Sequence, residues 1–189
     1  PIGNTAMVSG TIYVDRDGTS SAQISSREII RAYSLRSARY SETTFVPTSQ
    51  LQAVVALRPL AAEDSGANNH ETIHHMIMDQ KNERFVPHVL PIQKGQSVRF
   101  LNSDSVFHNV FSLSSARKFD LGRYPQGRFR SVRFSNPGTV KIYCDIHTHM
   151  NAFVLVLDTP YFATATPDGK FEISGPVSYT HLRAHETRT

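Results

Sequence analysis

The chain has 189 residues, a formal net charge of +4 and a hydrophobic fraction of 39%, which is an ordinary globular composition. Its positive residues are scattered rather than in runs, so nucleic-acid binding is not indicated, and no apolar stretch reaches the ~20 residues of a membrane span. The single cysteine excludes an internal disulfide framework, a thiolate-bridged binuclear copper centre, and any zinc site that needs two cysteines of one chain.

Residues 1–69 are predicted to form a small accessory β unit followed by a linker. Residues 8–14 alternate in polarity and end at an Asp-Arg-Asp-Gly turn signal, as expected for a strand. Residues 53–57 form a second predicted strand, and a Ser/Arg-rich insertion separates the two. The polar, glycine-containing residues 61–69 are interpreted as the linker.

Residues 70–158 are predicted to form a β-sandwich domain, because short strand candidates recur there with turn signals between them. The candidate strands are residues 71–78, 85–92, 97–101, 106–113, 128–134, 139–144 and 151–157. Residues 114–121 are ambiguous between helix and strand. The predicted fold class is therefore all-β.

Two segments follow this domain. Residues 159–176 contain a Pro-Asp-Gly turn between two apolar stretches, which predicts the start of a further, truncated β unit. Residues 177–189 have no turn or strand pattern and resemble translated sequencing-adaptor sequence, so we interpret them as a non-native tail. On this ground His181 and His185, although spaced i,i+4, are rejected as a metal site.

The loop Cys144–Met150 is the most informative stretch, because its Cys-x-x-His-x-x-Met spacing gathers a thiolate, an imidazole (His147) and a thioether. This soft set suits copper, and one further imidazole would complete a His₂Cys site with a weak axial Met, the pattern of blue-copper centres. His108, where a turn-prone segment meets a predicted strand, is the candidate for that imidazole, although a lone histidine more often merely caps a strand. A zinc site that also uses His149 stays open as a weaker alternative.

Residues 76–157 resemble a cupredoxin, more narrowly the plastocyanin-like domain of bacterial proteins labelled methylamine-utilisation-like. The matching blocks are residues 78–80, 85–90, 102–104, 108–112, 136–138 and 144–150. The resemblance implies a cupredoxin-like Greek-key β-sandwich. It also implies that His108, Cys144, His147 and Met150 bind one copper ion that alternates between Cu(I) and Cu(II). The flanking residues resemble partial carboxypeptidase-regulatory-like β units.

One departure concerns the loop itself. In amicyanin-like cupredoxins a proline and an aromatic residue commonly separate the loop histidine from the methionine, whereas here Thr148 and His149 stand there. His149 is therefore either an alternative ligand or a solvent-facing proton acceptor. Asn109, next to His108, is predicted to orient the ligands, either by tying the histidine strand to the cysteine loop or by a hydrogen bond to the sulfur.

The other residues near the predicted site receive structural interpretations. Four apolar side chains are expected to limit water access: Phe107, Phe111, Ile146 and Phe153. His88 is interpreted as structural. The cluster of His70, His74 and His75 is interpreted as a solvated strand edge rather than a second metal site.

The predicted function is that of a mononuclear type 1 (blue) copper protein that carries single electrons between transient redox partners. It is not predicted to be an enzyme, because the protein fills all four ligand positions and leaves none for a substrate. A copper-binding carrier or sensor is one alternative, and a cell-envelope β-sandwich interaction module with an inert site is another. The resemblance implies a periplasmic or other extracytoplasmic location, with a signal peptide absent from this fragment.

Overall fold

The computed structural model describes residues 5–14, 20–26, 53–59, 76–176 and 182–186. All regular elements within these residues are β-strands, which confirms the predicted all-β class, and no helix among them is long and apolar enough to cross a bilayer. The strands are β1 (Thr5–Val14), β2 (Ser20–Ser26), β3 (Val54–Pro59), β4 (Met76–Gln80), β5 (Phe85–Val86), β6 (Val89–Gln93), β7 (Ser97–Asn102), β8 (His108–Ser114), β9 (Arg117–Tyr124), β10 (Phe129–Arg133), β11 (Gly138–Tyr143), β12 (Asn151–Leu157), β13 (Phe162–Thr164), β14 (Lys170–Pro176) and β15 (Leu182–Glu186).

The chain divides into two compact units. The flanking unit combines Pro1–Ser65 with Tyr161–Arg188, and its described strands form two three-stranded sheets, β14-β1-β2 and β13-β3-β15. The strands of the two segments predicted as separate β units thus pair with each other, which satisfies backbone groups that an isolated hairpin would leave unpaired. Strand β15 also lies in the segment for which no strand was predicted. That this segment is a non-native tail stays a prediction.

The central unit spans Gly66–Pro160 and contains two sheets. One has the order β10-β7-β4-β5 and the other the order β6-β12-β11-β8-β9. The pairs β4–β7 and β6–β12 are parallel and the remaining pairs are antiparallel. Because the chain crosses repeatedly from one sheet to the other, strands consecutive in sequence are often not neighbours. This arrangement confirms the predicted Greek-key sandwich.

The core of the central unit lies between its two sheets. Inward-facing residues alternate with outward-facing ones, as in β7, where Val98 and Phe100 are buried while Ser97 and Arg99 are only half-buried. Each such large apolar side chain contributes about 1.5–3 kcal/mol of burial free energy. The opposing sheet supplies Val140, Ile142, Ala152, Val154 and Val156.

Two strand predictions in this unit were incomplete. The predicted strand 85–92 is two strands in different sheets, β5 and β6, because Pro87 between them has no amide N–H for a continuous ladder. The ambiguous segment 114–121 largely forms β9, an edge strand whose side chains are mostly exposed. An edge strand needs no apolar alternation, so the sequence pattern gave no clear signal there.

The strand termini define one end of the sandwich. Strand β8 begins there at His108, while β11 ends and β12 begins there, with Tyr143 paired to Asn151. Tyr143 also pairs with Phe111 of β8. The loop Cys144–Met150 and the first residue of β8 are therefore held at the same end of one sheet.

Candidate metal centre

The loop Cys144–Met150 is closed by its own backbone. The amide N–H of Cys144 donates to the carbonyl of Met150 at 3.3 Å, and the amide N–H of Met150 donates to the carbonyl of His147 at 2.9 Å. Since β11 and β12 are antiparallel neighbours, both ends of the loop are also fixed by the sheet. The loop therefore holds its three predicted ligand residues in a defined arrangement.

His108 supplies the imidazole that the loop lacks. Its side chain is fully buried, and its Nδ1 lies 3.9 Å from Cys144 Sγ and 3.0 Å from His147 Nδ1. Cys144 Sγ in turn lies 3.9 Å from His147 Nδ1. These three potential ligand atoms all fall within 4.8 Å of one another, a cluster found by searching the described residues. The structure thus brings His108 to two loop residues that lie 36 and 39 positions away in the sequence.

The spacing of these atoms fits one small metal ion. Bonds of about 2.0 Å to nitrogen and about 2.3 Å to sulfur at trigonal angles separate N and S by about 3.7 Å. Both observed N–S separations are 3.9 Å, and the N–N separation is 3.0 Å against about 3.5 Å for the same geometry, so the atoms need to shift by about half an ångström or less. The donors are two imidazoles and one thiolate, which is the soft trigonal set that copper accepts.

Met150 is the last residue of the loop, and its side chain is buried in the core. It is 1% exposed and belongs to the same buried cluster of side chains as Cys144. Its backbone bonds to both Cys144 and His147, as described above. The methionine side chain is thus buried in the core at the end of the loop that carries Cys144 and His147.

His149 is not part of the cluster. Its side chain is 60% exposed, and its Nε2 lies 3.5 Å from Glu83 Oε2. The ring centroid of His149 is 6.1 Å from that of His147, and its nearest charged neighbour is on the surface. Of the two interpretations of His149, this geometry favours the solvent-facing one.

Asn109 ties the histidine strand to the cysteine loop. Its Oδ1 accepts a hydrogen bond from the amide N–H of Asp145 at 3.4 Å, and its Nδ2 donates to Asp120 Oδ1 at 2.7 Å. Hydrogen bonds from the Gly122 amide and from Asn109 hold the pKa of Asp120 below its usual value, although burial acts in the opposite direction. Of the two predicted roles of Asn109, the link between the histidine strand and the cysteine loop has a matching contact in the structure.

Asp104 was missed by sequence reasoning, yet it contacts a predicted ligand. Its Oδ2 lies 2.8 Å from His108 Nε2, and its carboxylate also accepts hydrogen bonds from the amides of Asn82 at 2.6 Å and Glu83 at 2.8 Å. Burial raises the pKa of Asp104, but the hydrogen bonds from Glu83, His108 and Asn82 outweigh it, and the pKa is lowered. Two signals were present: an acidic residue four positions before the histidine, and its place in the block 102–104 that resembles cupredoxins.

The apolar surround differs from the prediction. Phe107 is 57% exposed and Ile146 is 37% exposed, so neither excludes water from the site as expected. Phe111 is half-buried against Tyr143, with ring centroids 5.8 Å apart. The apolar side chains buried next to Cys144 belong instead to the core, which includes Met150. The exposed side chains of Phe107 and Ile146 form an apolar surface around the loop.

Among the described residues, His88 also lies outside the cluster. His88 Nδ1 lies 3.0 Å from the carbonyl oxygen of Asn151, and its ring meets Phe153 edge-on at 5.4 Å. It therefore braces the start of β12, as its structural interpretation implies. His70, His74 and His75 lie outside the described residues.

Strand order and ligand placement together define the class of this domain. Two mixed sheets form a Greek-key sandwich, and a buried histidine on one strand faces a Cys-x-x-His-x-x-Met loop between two neighbouring strands. The central unit has a cupredoxin-like fold.

Comparisons with known proteins find solved structures of low similarity to this chain. No protein-family model and no curated protein sequence matches the chain. Solved structures with a similar fold include a reduced amicyanin mutant, with 20% identity over 44% of this chain and 82% of that one and a TM-score of 0.42. A purple cupredoxin from Nitrosopumilus maritimus has 24% identity over 43% of this chain and 99% of that one, with a TM-score of 0.40.

A copper-containing nitrite reductase from Thermus scotoductus is also similar, with 22% identity and a TM-score of 0.43. The match covers 45% of this chain but only 23% of the reductase.

Proposed function

We propose that this protein is a mononuclear type 1 copper protein that carries single electrons between redox partners. The observation that supports this most directly is the convergence of His108 Nδ1, Cys144 Sγ and His147 Nδ1 within 4.8 Å at one end of a β-sandwich. Copper bound there would supply a one-electron couple. The residues of the chain contribute the geometry and the surroundings.

Each ligand residue has a distinct part in this proposal. Cys144, which is 4% exposed, would bind as a thiolate, and His108 and His147 would bind through neutral Nδ1 atoms. Met150 would act as the weak axial ligand that tunes the reduction potential. Because protein atoms fill every ligand position, we propose an electron carrier rather than an enzyme.

The scaffold favours fast electron transfer. Strand β8 is paired with both β9 and β11, and the loop is closed by its own hydrogen bonds. Ligands held in this way change position little between the two oxidation states of a bound metal. The reorganisation energy for a change between Cu(I) and Cu(II) would therefore be small.

The exposed surface indicates where electrons would leave. His147 is half-buried whereas His108 is fully buried, so His147 offers the shorter route to solvent. Val106, Phe107 and Ile146 are exposed apolar side chains in the loops at this end of the sandwich. A transient redox partner would dock here, because apolar contact without strong ion pairs allows rapid dissociation.

The proposal includes a periplasmic or other extracytoplasmic location, supported by the resemblance to cupredoxins. Fractionation of cells that express the complete natural protein tests this part. Copper protein recovered with the cytoplasmic fraction would contradict it.

The central test is spectroscopic. The purified chain is mixed with Cu(II), and its visible spectrum and electron paramagnetic resonance are recorded. An intense thiolate-to-copper band with narrow hyperfine splitting is expected, and Cys144→Ser should abolish it. A colourless protein that retains zinc would overturn the proposal in favour of a zinc site.

A copper carrier or sensor would use the same ligands, so colour alone does not separate it from an electron carrier. Reversible voltammetry with rapid exchange at the electrode supports electron transfer. Slow, irreversible voltammetry combined with tight copper binding would favour the carrier or sensor.

A further inference from the structure

We propose that Asp104 is a positioning residue for the metal centre: its carboxylate fixes the tautomer and orientation of His108 and fastens that histidine to the turn between β4 and β5. This inference rests on the proposed copper site. It assigns a role to a residue that lies outside the ligand loop and that the sequence did not single out.

The contact between Asp104 and His108 selects one tautomer. Asp104 Oδ2 lies 2.8 Å from His108 Nε2, with the aspartate side chain only 13% exposed and the histidine fully buried. An ionised carboxylate can only accept hydrogen bonds, so Nε2 must carry the proton. In a neutral ring, Nδ1 is then the atom with the free lone pair, and it faces Cys144 Sγ at 3.9 Å. A metal would meet a lone pair there rather than an N–H group.

The turn between β4 and β5 holds the carboxylate in place. Asn82 and Glu83 have φ angles of 55° and 53°, and their successive amide N–H groups both donate to Asp104, at 2.6 and 2.8 Å. Consecutive N–H groups in such a conformation form a concave anion-binding site. Bonds at two points prevent the carboxylate from rotating away from His108. The turn thus acts on the metal centre through Asp104.

A second connection from this turn reaches the ligand loop but is weak. Glu83 Oε2 lies 3.5 Å from His149 Nε2, and the two side chains are 50% and 60% exposed. Exposed pairs of this kind contribute little free energy. Glu83 therefore offers a control position: its side chain can be changed while its backbone N–H continues to hold Asp104.

The carboxylate also acts electrostatically on the centre. A hydrogen bond from a ligating imidazole to an anion makes the imidazole a stronger donor. The negative charge favours the more positive Cu(II) ion over Cu(I). Loss of Asp104 should therefore weaken Cu(II) binding more than Cu(I) binding and raise the reduction potential.

The first test uses the metal-free full chain, so that it does not depend on copper. Imidazole ¹⁵N chemical shifts at neutral pH report which nitrogen of His108 carries the proton. We expect an Nε2–H tautomer in the wild type and in two controls, Glu83→Gln and Glu172→Gln, which alter solvent-exposed carboxylates. In Asp104→Ala we expect a mixture of tautomers. Asp104→Leu, which is close in size and has no acceptor oxygen, is measured if the alanine variant does not fold, and a mixture of tautomers is expected there too.

The second test uses the copper-loaded proteins. Asp104→Ala should lower the affinity for Cu(II) by about 10–100-fold. Each tenfold loss of Cu(II) affinity in excess of the loss of Cu(I) affinity raises the reduction potential by about 59 mV. The controls should keep the wild-type affinity and potential.

The test of Asp104 and the test of the proposed function can fail independently of each other. A wild-type Nδ1–H tautomer, or the same single tautomer in wild type and in the Asp104 variants, overturns the role of Asp104 whether or not copper binds. A protein that fails to turn blue overturns the proposed function while the tautomer measurement still decides the role of Asp104.

Discussion

The side-chain oxygen of Asn109 accepts a hydrogen bond from the amide N–H of Asp145. This contact joins the residue after one predicted metal ligand, His108, to the residue after another, Cys144. It is a direct cross-link between β8 and the ligand loop, made by a side chain that is 2% exposed. The spacing between the two ligands therefore depends on an amide group that touches neither of them.

The first prediction follows from this link. Asn109→Ala removes the cross-link and leaves the Asp145 N–H without its partner, so the free energy of unfolding should fall by about 1–3 kcal/mol. Copper affinity should fall by about 10-fold or more, because the loop is less well oriented. Chemical unfolding and competitive copper titration measure the two effects. Asn136→Ala, at an exposed position in the same unit, is the control, and an equal loss there would argue against a special role for Asn109.

The second prediction separates Met150 from His149. Met150→Leu removes the thioether. Since a weak axial sulfur stabilises Cu(II), this loss should raise the reduction potential. The rise is roughly 59 mV for each tenfold decrease in the affinity for Cu(II) relative to that for Cu(I). His149→Ala should leave the visible spectrum intact, because this side chain is exposed and lies outside the cluster. Voltammetry and absorption spectra check both variants. A loss of the blue band in His149→Ala would instead make His149 a ligand.

The third prediction concerns high pH. The Tyr124 hydroxyl accepts a hydrogen bond from Gln80 Nε2 at 2.7 Å and donates to the carbonyl of Phe100 at 3.1 Å. Burial raises the pKa of Tyr124 well above its ordinary value, although the bond from Gln80 acts in the opposite direction. The neutral form is thus favoured in the folded state. Its contribution to stability is complete below a pH of about 10 and is lost as the pH rises from there towards the folded pKa.

The metal-free protein should therefore lose up to about 1.4 kcal/mol of unfolding free energy per pH unit above pH ~10 through Tyr124 alone. Tyr124→Phe should be less stable near neutral pH, because it loses two hydrogen bonds, but should show a shallower decline at high pH. Unfolding measured at several pH values between neutral and alkaline gives both slopes. Equal slopes in the two proteins would refute the assignment.

The fourth prediction concerns the entry into β11. Gly138 has a φ of 138°, and a Cβ at this position would lie 3.2 Å from the Cβ of Ala116. Gly95 has a φ of 90° but open space around it. Both alanine substitutions should lower the unfolding free energy by about 1–3 kcal/mol through backbone strain. Gly138→Ala should lose more in thermal unfolding, since it adds a steric contact, and equal losses would show that the contact is relieved without cost.

The sequence by itself determined the chemistry of the ligand loop. Cys144, His147 and Met150 lie within one short segment, so local spacing was enough to predict that they act together. The alternation of apolar residues likewise predicted most strands of the central sandwich, because one face of each strand must be buried. Segments without that pattern, such as the edge strand β9, were not assigned clearly.

Only the tertiary structure decided which distant groups complete the site. A lone histidine such as His108 more often caps a strand, and the pairing of β8 with β11 is what brings it to the cysteine. Asp104 depends on a turn that lies far from it in the sequence, so no local pattern could reveal that it holds His108. Local spacing can be read from the sequence, whereas contacts between distant residues form only when strand order and register are fixed.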